Sequence, residues 1–119
     1  MGNLILFGSD DMEYGKAIQI YLRNVPYLAV GSTGYKHHDI LLKFLIDNQI
    51  AFKEKRLIGP DFGPEPIGQD YKLVGAGMAI FHADKIRLIG QSGGYRIKPD
   101  ETHAREISGL IGRFVKVER

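Results

Sequence analysis

Apolar and polar residues alternate along this chain in short blocks with two different periods. Residues 3–8, NLILFG, form an apolar run closed by glycine, which suits a buried strand. Tyr14, Ala17, Ile18, Tyr21 and Leu22 then recur at helical spacing, with Glu13, Lys16, Gln19 and Arg23 opposite. Asp10 and Glu13 have capping-box spacing, and Asn24 and Pro26 supply a stop. The pattern predicts an amphipathic helix over about 11–23, weakened modestly by Gly15. Residues 26–31, PYLAVG, read as a second strand, and Ser32–Thr33–Gly34 as a turn.

A second helix is predicted over about 36–48. Its apolar stripe is Ile40, Leu41, Phe44 and Leu45, and Asp39, Lys43 and Asp47 form a ladder of alternating sign on the outer face. AFKEKRLI, 51–58, has β-compatible residues but little apolar content and reads as an edge strand. GPDFGPEPIG, 59–68, is dense in proline and glycine and reads as a loop, the place for an insertion or a lid. The clearest β signal is the pair 71–81 and 85–92 around His82–Ala83–Asp84, a hairpin. Glycines 75, 77 and 90 fall inside these strands, where glycine marks a bulge or a close backbone approach. A third helix starts near Asp100 as N-cap, carries Ala104, Ile107, Leu110 and Ile111 as its stripe, and ends at Gly112. RFVKV closes as a strand. The order β-α-β-α-β-β-β-α-β implies an α/β (α+β) fold with one mixed sheet and about three helices packed on it. Nothing reads as a linker, so residues 1–119 form a single domain in this reading.

Composition narrows the function classes. The 119 residues carry a formal charge of +2, too small to argue for nucleic acid. The apolar runs are too short to span a membrane and no leader pattern opens the chain, so a cytoplasmic protein without membrane contacts is expected. The absence of cysteine removes disulfides and thiolate chemistry, and four scattered histidines do not suggest a zinc site. Neither a metal nor another cofactor is expected.

Three stretches could carry chemistry. GSDDMEYG, 8–15, is a strand-to-helix turn, but Asp10 and Asp11 would repel an anion, so an acidic cap is the reading favoured. In His37–His38, His37 lies one turn before Leu41 and can point toward the sheet at the helix mouth. A helix N-terminus disfavours the imidazolium, and a neutral imidazole can act as base or nucleophile. His38 is rotated by about 100° and is better placed to face solvent or a loop. From this segment alone, two residues that simply fill a helix start are the simpler reading. In GQSGGY, 90–95, successive small residues leave backbone N–H groups bare, as an anion nest requires, and Ser92 adds a hydroxyl. A glycine-rich bulge is the alternative. His82 reads as a hairpin-turn residue and His103 as a surface residue. Tyr14, Tyr21, Tyr27, Tyr71 and Tyr95 read as packing residues with a polar tip.

His37–His38–Asp39–Ile40 and the segment GAGMAIFHADKIRLIGQSGGY, 75–95, together resemble the phosphohistidine phosphatase family, also called janus or ocnus. The former matches that family's His-x-Asp-Ile helix start. The latter matches its glycine-rich strand, short polar turn, and strand ending in Gly-x-Ser. The resemblance runs over roughly residues 26–111. It implies a phosphohistidine-phosphatase-like domain and a metal-independent, cofactor-independent phosphatase. The substrate would be phosphohistidine or a related phosphoramidate, on a phosphorylated protein or a small molecule. The resemblance puts the catalytic histidine, as nucleophile or general base, at His37, and a backbone N–H phosphate cradle at Ser92, Gly93 and Gly94. The family has a lysine on the strand before the histidine helix, where Pro26 best matches here. It has an arginine in the glycine-rich strand, where Met78 stands. Lys36, Arg96 or Lys98 are the candidate substitutes. Two other functions fit the same residues: a non-catalytic phosphate- or phosphoprotein-binding module, and a structural or assembly protein that pairs through strand 51–58.

Overall fold

The computed structural model describes residues 2–32, 34–56, 62–67, 71–92 and 95–118. Eight strands and two helices follow in the order β1 (Leu4–Phe7), β2 (Tyr14–Leu22), β3 (Val25–Gly31), α1 (His37–Asp47), β4 (Phe52–Arg56), β5 (Phe62–Pro66), β6 (Tyr71–Phe81), β7 (Lys85–Ile89), α2 (Glu101–Ile111) and β8 (Phe114–Val117). Six strands form one mixed sheet in the order β1-β3-β2-β6-β7-β8, and β4 and β5 form a separate ribbon. The fold is α+β, with two helices among the described residues instead of about three.

The expected helix over 11–23 is a strand. β2 lies between β3 and β6 and is antiparallel to both. It is buried on both faces: Ile18, Ile20 and Leu22 enter one core, Ala17 the other, and Gln19 is 1% exposed. A strand buried on both faces loses the alternation that reveals strands, and its apolar residues can fall by coincidence at helical spacing. The stop at Asn24 is a hairpin turn. Arg23 and Asn24 both have positive φ, 49° and 70°, as the two central residues of a type I′ turn require.

The helices cover opposite faces, and the topology explains why. α1 connects β3 to β6, which run parallel to each other on either side of β2; α2 connects the parallel neighbours β7 and β8. Both crossovers step the same way across the sheet, but β7 runs opposite to β3. Right-handed crossovers then require opposite faces. Ile40, Leu41, Phe44 and Leu45 of α1 pack on Ile18, Ile20, Ala29 and Ala76, as the apolar stripe requires. On the other face Ala104 and Ile107 of α2 pack on Ala17, Leu28, Val30 and Ala79. Leu110, expected in this stripe, is 52% exposed. Asp100 caps α2 by accepting from the His103 N–H at 2.8 Å, and Gly112 ends it at φ 66°, both as the sequence suggests. Ser108 ties α2 to β8, its hydroxyl accepting the Val115 N–H at 2.8 Å.

The edge strand expected over 51–58 is not on the main sheet. Among the described residues β4 pairs β5 alone, which lies inside the stretch read as a loop. Pro64 and Pro66 sit two apart and so share one edge of β5; a two-stranded ribbon leaves such an edge free of partners and tolerates proline there. Residues 57–61 and 68, also in those two stretches, lie outside the described residues. No described helix is long and apolar enough to cross a membrane.

Candidate active site

His37 is the first residue of α1, and its position there is set locally. Lys36 is the N-cap, and its own N–H donates to Asp39 Oδ2 at 2.9 Å. Gly31 lets the helix approach the sheet: a Cβ there would stand 2.8 Å from Ile40 Cγ1 and from Tyr35 Cβ. The His37 ring turns inward to β6, where Nε2 lies 2.8 Å from the carbonyl oxygen of Gly77. A carbonyl only accepts, so Nε2 carries the hydrogen. In the neutral ring the lone pair is then on Nδ1, for which the described residues supply no hydrogen-bond partner. Burial lowers the pKa of His37 from its ordinary 6.5, the Gly77 hydrogen bond opposes this, and the charges of Lys16 and His38 lower it further. The ring is therefore neutral at pH 7.

Lys16 is the residue that sequence reasoning misses. In a helix it would sit on the solvent side. In β2 it shares the α1 side of the sheet with Ile18 and Ile20, opposite Gly31 on β3 and Met78 on β6. A cation therefore stands beside His37 although Pro26, in β3 opposite Tyr21, and Met78 carry none. The signal was present. KAIQIYL is rich in β-branched and aromatic residues, and Arg23–Asn24 is a two-residue hairpin linker.

The second expected segment reaches the same side of the sheet. β7 ends at Ile89, and Ser92 and Ile97 then form an isolated antiparallel bridge, with Tyr95 and Arg96 in a turn before Ile97. Tyr95 and Ile97 pack on the core that includes α1. Burial pushes the Tyr95 phenol up, and so do Tyr71 and the charge of Asp39 in the first turn of α1. The turn and the His37 end of α1 are thus neighbours. Gly77 joins them as well: a Cβ there would collide with the Ile89 carbonyl and stand 3.0 Å from Pro99 Cγ.

No family model and no curated protein matches the chain.

Ser92 corrects part of the expected cradle. It is 1% exposed, its N–H donates to Ile97 O at 2.9 Å, its carbonyl accepts from the Arg96 N–H at 2.8 Å, and its hydroxyl accepts from the Tyr95 N–H at 3.2 Å. The Ser92 N–H is therefore spent on closing the turn and is not open to a phosphate. Gly93 and Gly94 lie outside the described residues. The candidate accessory cations separate. Lys36 lines a cleft with Lys16, Tyr14, Tyr35 and Met78, whereas Lys98 lines another cleft with Arg87. Arg96 is exposed in the 92–97 turn with φ 59°.

Two of the remaining histidines depart from expectation. His38 is mostly covered, its side chain 19% exposed, with Nε2 3.5 Å from Asp39 Oδ1. His103, expected on the surface, is 0% exposed. Its Nε2 donates to Ile20 O at 3.1 Å, and its Nδ1 accepts from Gln19 Nε2 at 3.3 Å. His82 sits in the β6–β7 turn, as expected, with its backbone N–H on Lys85 O at 2.9 Å, but its Nε2 is buried without a partner. Among the described residues no three His, Asp or Glu side chains converge to hold a metal ion.

Proposed function

We propose that this chain is a cytoplasmic, metal-independent phosphatase of phosphohistidine or a related phosphoramidate, with His37 as nucleophile or general base. The observation that carries the reading is the fixed, neutral imidazole at the mouth of α1, with Nε2 held by Gly77 and Nδ1 without a partner among the described residues, beside Lys16. Phosphoryl transfer asks the protein for positioning and for positive potential where the phosphoryl oxygens gather charge. Gly77 supplies the positioning. Lys16 and the positive N-terminal end of the α1 dipole supply the potential.

In the reaction the P–N bond breaks as an oxygen of water bonds to phosphorus. One proton of that water ends on the departing nitrogen and the other on the phosphate. His37 Nδ1 either takes the proton from the attacking water or attacks phosphorus first, and the phosphohistidine so formed on the enzyme is then hydrolysed. The test is hydrolysis of a phosphohistidine peptide by the wild type and by His37→Ala. Turnover lost in the variant supports the proposal. Equal activity in both, or none in either, overturns it.

A second reading, a phosphate-binding module without turnover, is favoured by the engaged N–H of Ser92. It expects inorganic phosphate to raise the melting temperature while phosphohistidine peptide stays intact.

A further inference from the structure

We infer that the part of the sheet that α1 leaves uncovered docks an acidic, extended segment of a partner protein, with one apolar side chain of that segment seated in the cleft at the ends of β7 and β8. The docking does not depend on turnover at His37.

The strand register defines the surface. On the α1 side of the sheet Tyr14, Ile80, Arg87 and Lys116 line up across β2, β6, β7 and β8. Lys16, Met78 and Ile89 form a second row, and Lys85 and Phe114 a third. The core under α1 takes in β1, β2, β3 and the first half of β6, as far as Ala76, and α2 packs on the opposite face. No described helix covers these rows. Tyr14 and Phe114 are 55% and 57% exposed, and Met78, Ile80 and Ile89 are partly exposed. Apolar side chains left together at a surface in this way mark an interaction site.

Charge selects the partner. Lys16, Lys85, Arg87 and Lys116 stand among these apolar side chains. The Glu118 carboxylate holds Arg87 at 2.6 Å and lies 4.0 Å from Lys116. Neither Lys16 nor Lys85 has an ion pair among the described residues. The whole chain carries only +2, so its positive charge is concentrated here. A second copy of the chain would set these cations against their own kind. Single-stranded nucleic acid stacks on neighbouring aromatic rings, whereas Tyr14 and Phe114 lie at opposite ends of this surface with Met78, Ile80 and Ile89 between them. A segment of alternating acidic and apolar residues matches both the cations and the apolar rows.

The cleft supplies an anchor point. Beyond Ile89 the surface opens into about 470 Å³, with apolar walls from Ile89, Pro99 and Val117 and cations at Arg87 and Lys98. An apolar pocket rimmed by charge is how a central anchor residue is held. Neighbouring strands are about 4.8 Å apart, so Tyr14 to Lys116 spans about 14 Å, which about five extended residues cross.

The test is fluorescence anisotropy of a labelled peptide of about eight residues that alternates glutamate and leucine. An all-glutamate peptide and single-stranded oligo-dT are the comparisons. The wild type is expected to bind the glutamate–leucine peptide tightest. Lys85→Glu with Lys116→Glu, on the uncovered rows, is expected to weaken it by at least about tenfold. Gln91→Trp, which fills the cleft from an exposed position, is expected to do the same. Lys72→Glu with Arg105→Glu, exposed on the α2 side, is expected to change it by less than about threefold at about 0.15 M salt. His37→Ala is expected to bind as the wild type does, so loss of turnover and loss of docking are separate results. The inference is overturned if the glutamate–leucine peptide does not bind, if both charge-reversed pairs weaken it equally, if Gln91→Trp leaves it unchanged, or if all-glutamate peptide or oligo-dT binds as tightly.

Discussion

Replacing Gln19 by leucine isolates the polar device that holds α2 on the sheet. The Gln19 amide is buried at the centre of β2. Its Oε1 accepts from the Asp100 N–H at 2.7 Å, and its Nε2 lies 2.9 Å from Asp100 O and 3.3 Å from His103 Nδ1. Gly75 across the strand makes room for it, since a Cβ there would meet the Gln19 side chain and stand 2.9 Å from Asp100 N. Leucine fills the same space and makes none of these bonds. It leaves the Asp100 N–H and His103 Nδ1 without partners. Each orphaned buried group costs about 1–3 kcal/mol, so the pair costs about 4 kcal/mol. Greater apolar burial returns about 1 kcal/mol. The net loss of about 3 kcal/mol lowers Tm by about 12 °C for a domain of this size. Thermal unfolding followed by circular dichroism measures it. A loss under about 2 °C, which a surface substitution would give, refutes the network as a stabilising element. Gln19→Glu is the sharper control. A carboxylate only accepts, so it asks His103 Nδ1 to carry a proton. Its deficit relative to wild type should shrink as pH falls from about 8 to about 6, and a constant deficit would contradict the tautomer assigned to His103.

Burial holds the pKa of both His37 and His103 below 6.5, so below that pH the unfolded chain binds more protons than the folded one. Stability is then fully present above about pH 6.5 and falls below it by up to about 1.4 kcal/mol per pH unit for each histidine, until the folded-state pKa is reached. Denaturant melts of wild type and His103→Leu should show the slope reduced in the variant. Gly77→Ala should cost about 3 kcal/mol or more, because the new methyl meets a strand carbonyl, and should also misplace His37; an unchanged urea midpoint would contradict the close approach. Lys16→Met should raise the NMR titration midpoint of His37 and lower kcat/KM for phosphohistidine peptide by about 10–100-fold. A midpoint that stays put would mean that Lys16 does not act on the ring.

Legibility in the sequence followed the burial pattern of each element. α1 and α2 each bury one stripe and have polar first turns, so their ranges and the caps at Asp100 and Gly112 could be read directly. β6 and β7 could be read because turn residues bound them. β2 could not, because burial on both faces erased its alternation and its buried polar residue, Gln19, faces a partner 81 positions away. β5 could not, because prolines argue against strands in general and are tolerated on a ribbon edge in particular. The site inherited both difficulties. His37 was visible from the period of its own helix, but Lys16 becomes visible only when 14–22 is a strand. The commitment of the Ser92 N–H depends on Ile97, which folds back to close the turn.

The two helices begin in the same way, and the difference between them explains why one histidine is the candidate for chemistry. Each has a histidine in its first turn, and each histidine donates Nε2–H to a strand carbonyl, His37 to Gly77 and His103 to Ile20. Each is thereby fixed in the same tautomer and held neutral by burial. Position and protonation alone would make both of them bases. What separates them is the other nitrogen. His103 Nδ1 is occupied by the amide of Gln19, and the ring is closed from solvent. His37 Nδ1 meets no such amide, its ring is only partly buried, and the neighbouring cation is Lys16. A pinned imidazole with both nitrogens satisfied is a structural bolt. The same imidazole with one nitrogen unpartnered among the described residues, beside a cation, has the minimum equipment that the proposed phosphoryl transfer requires.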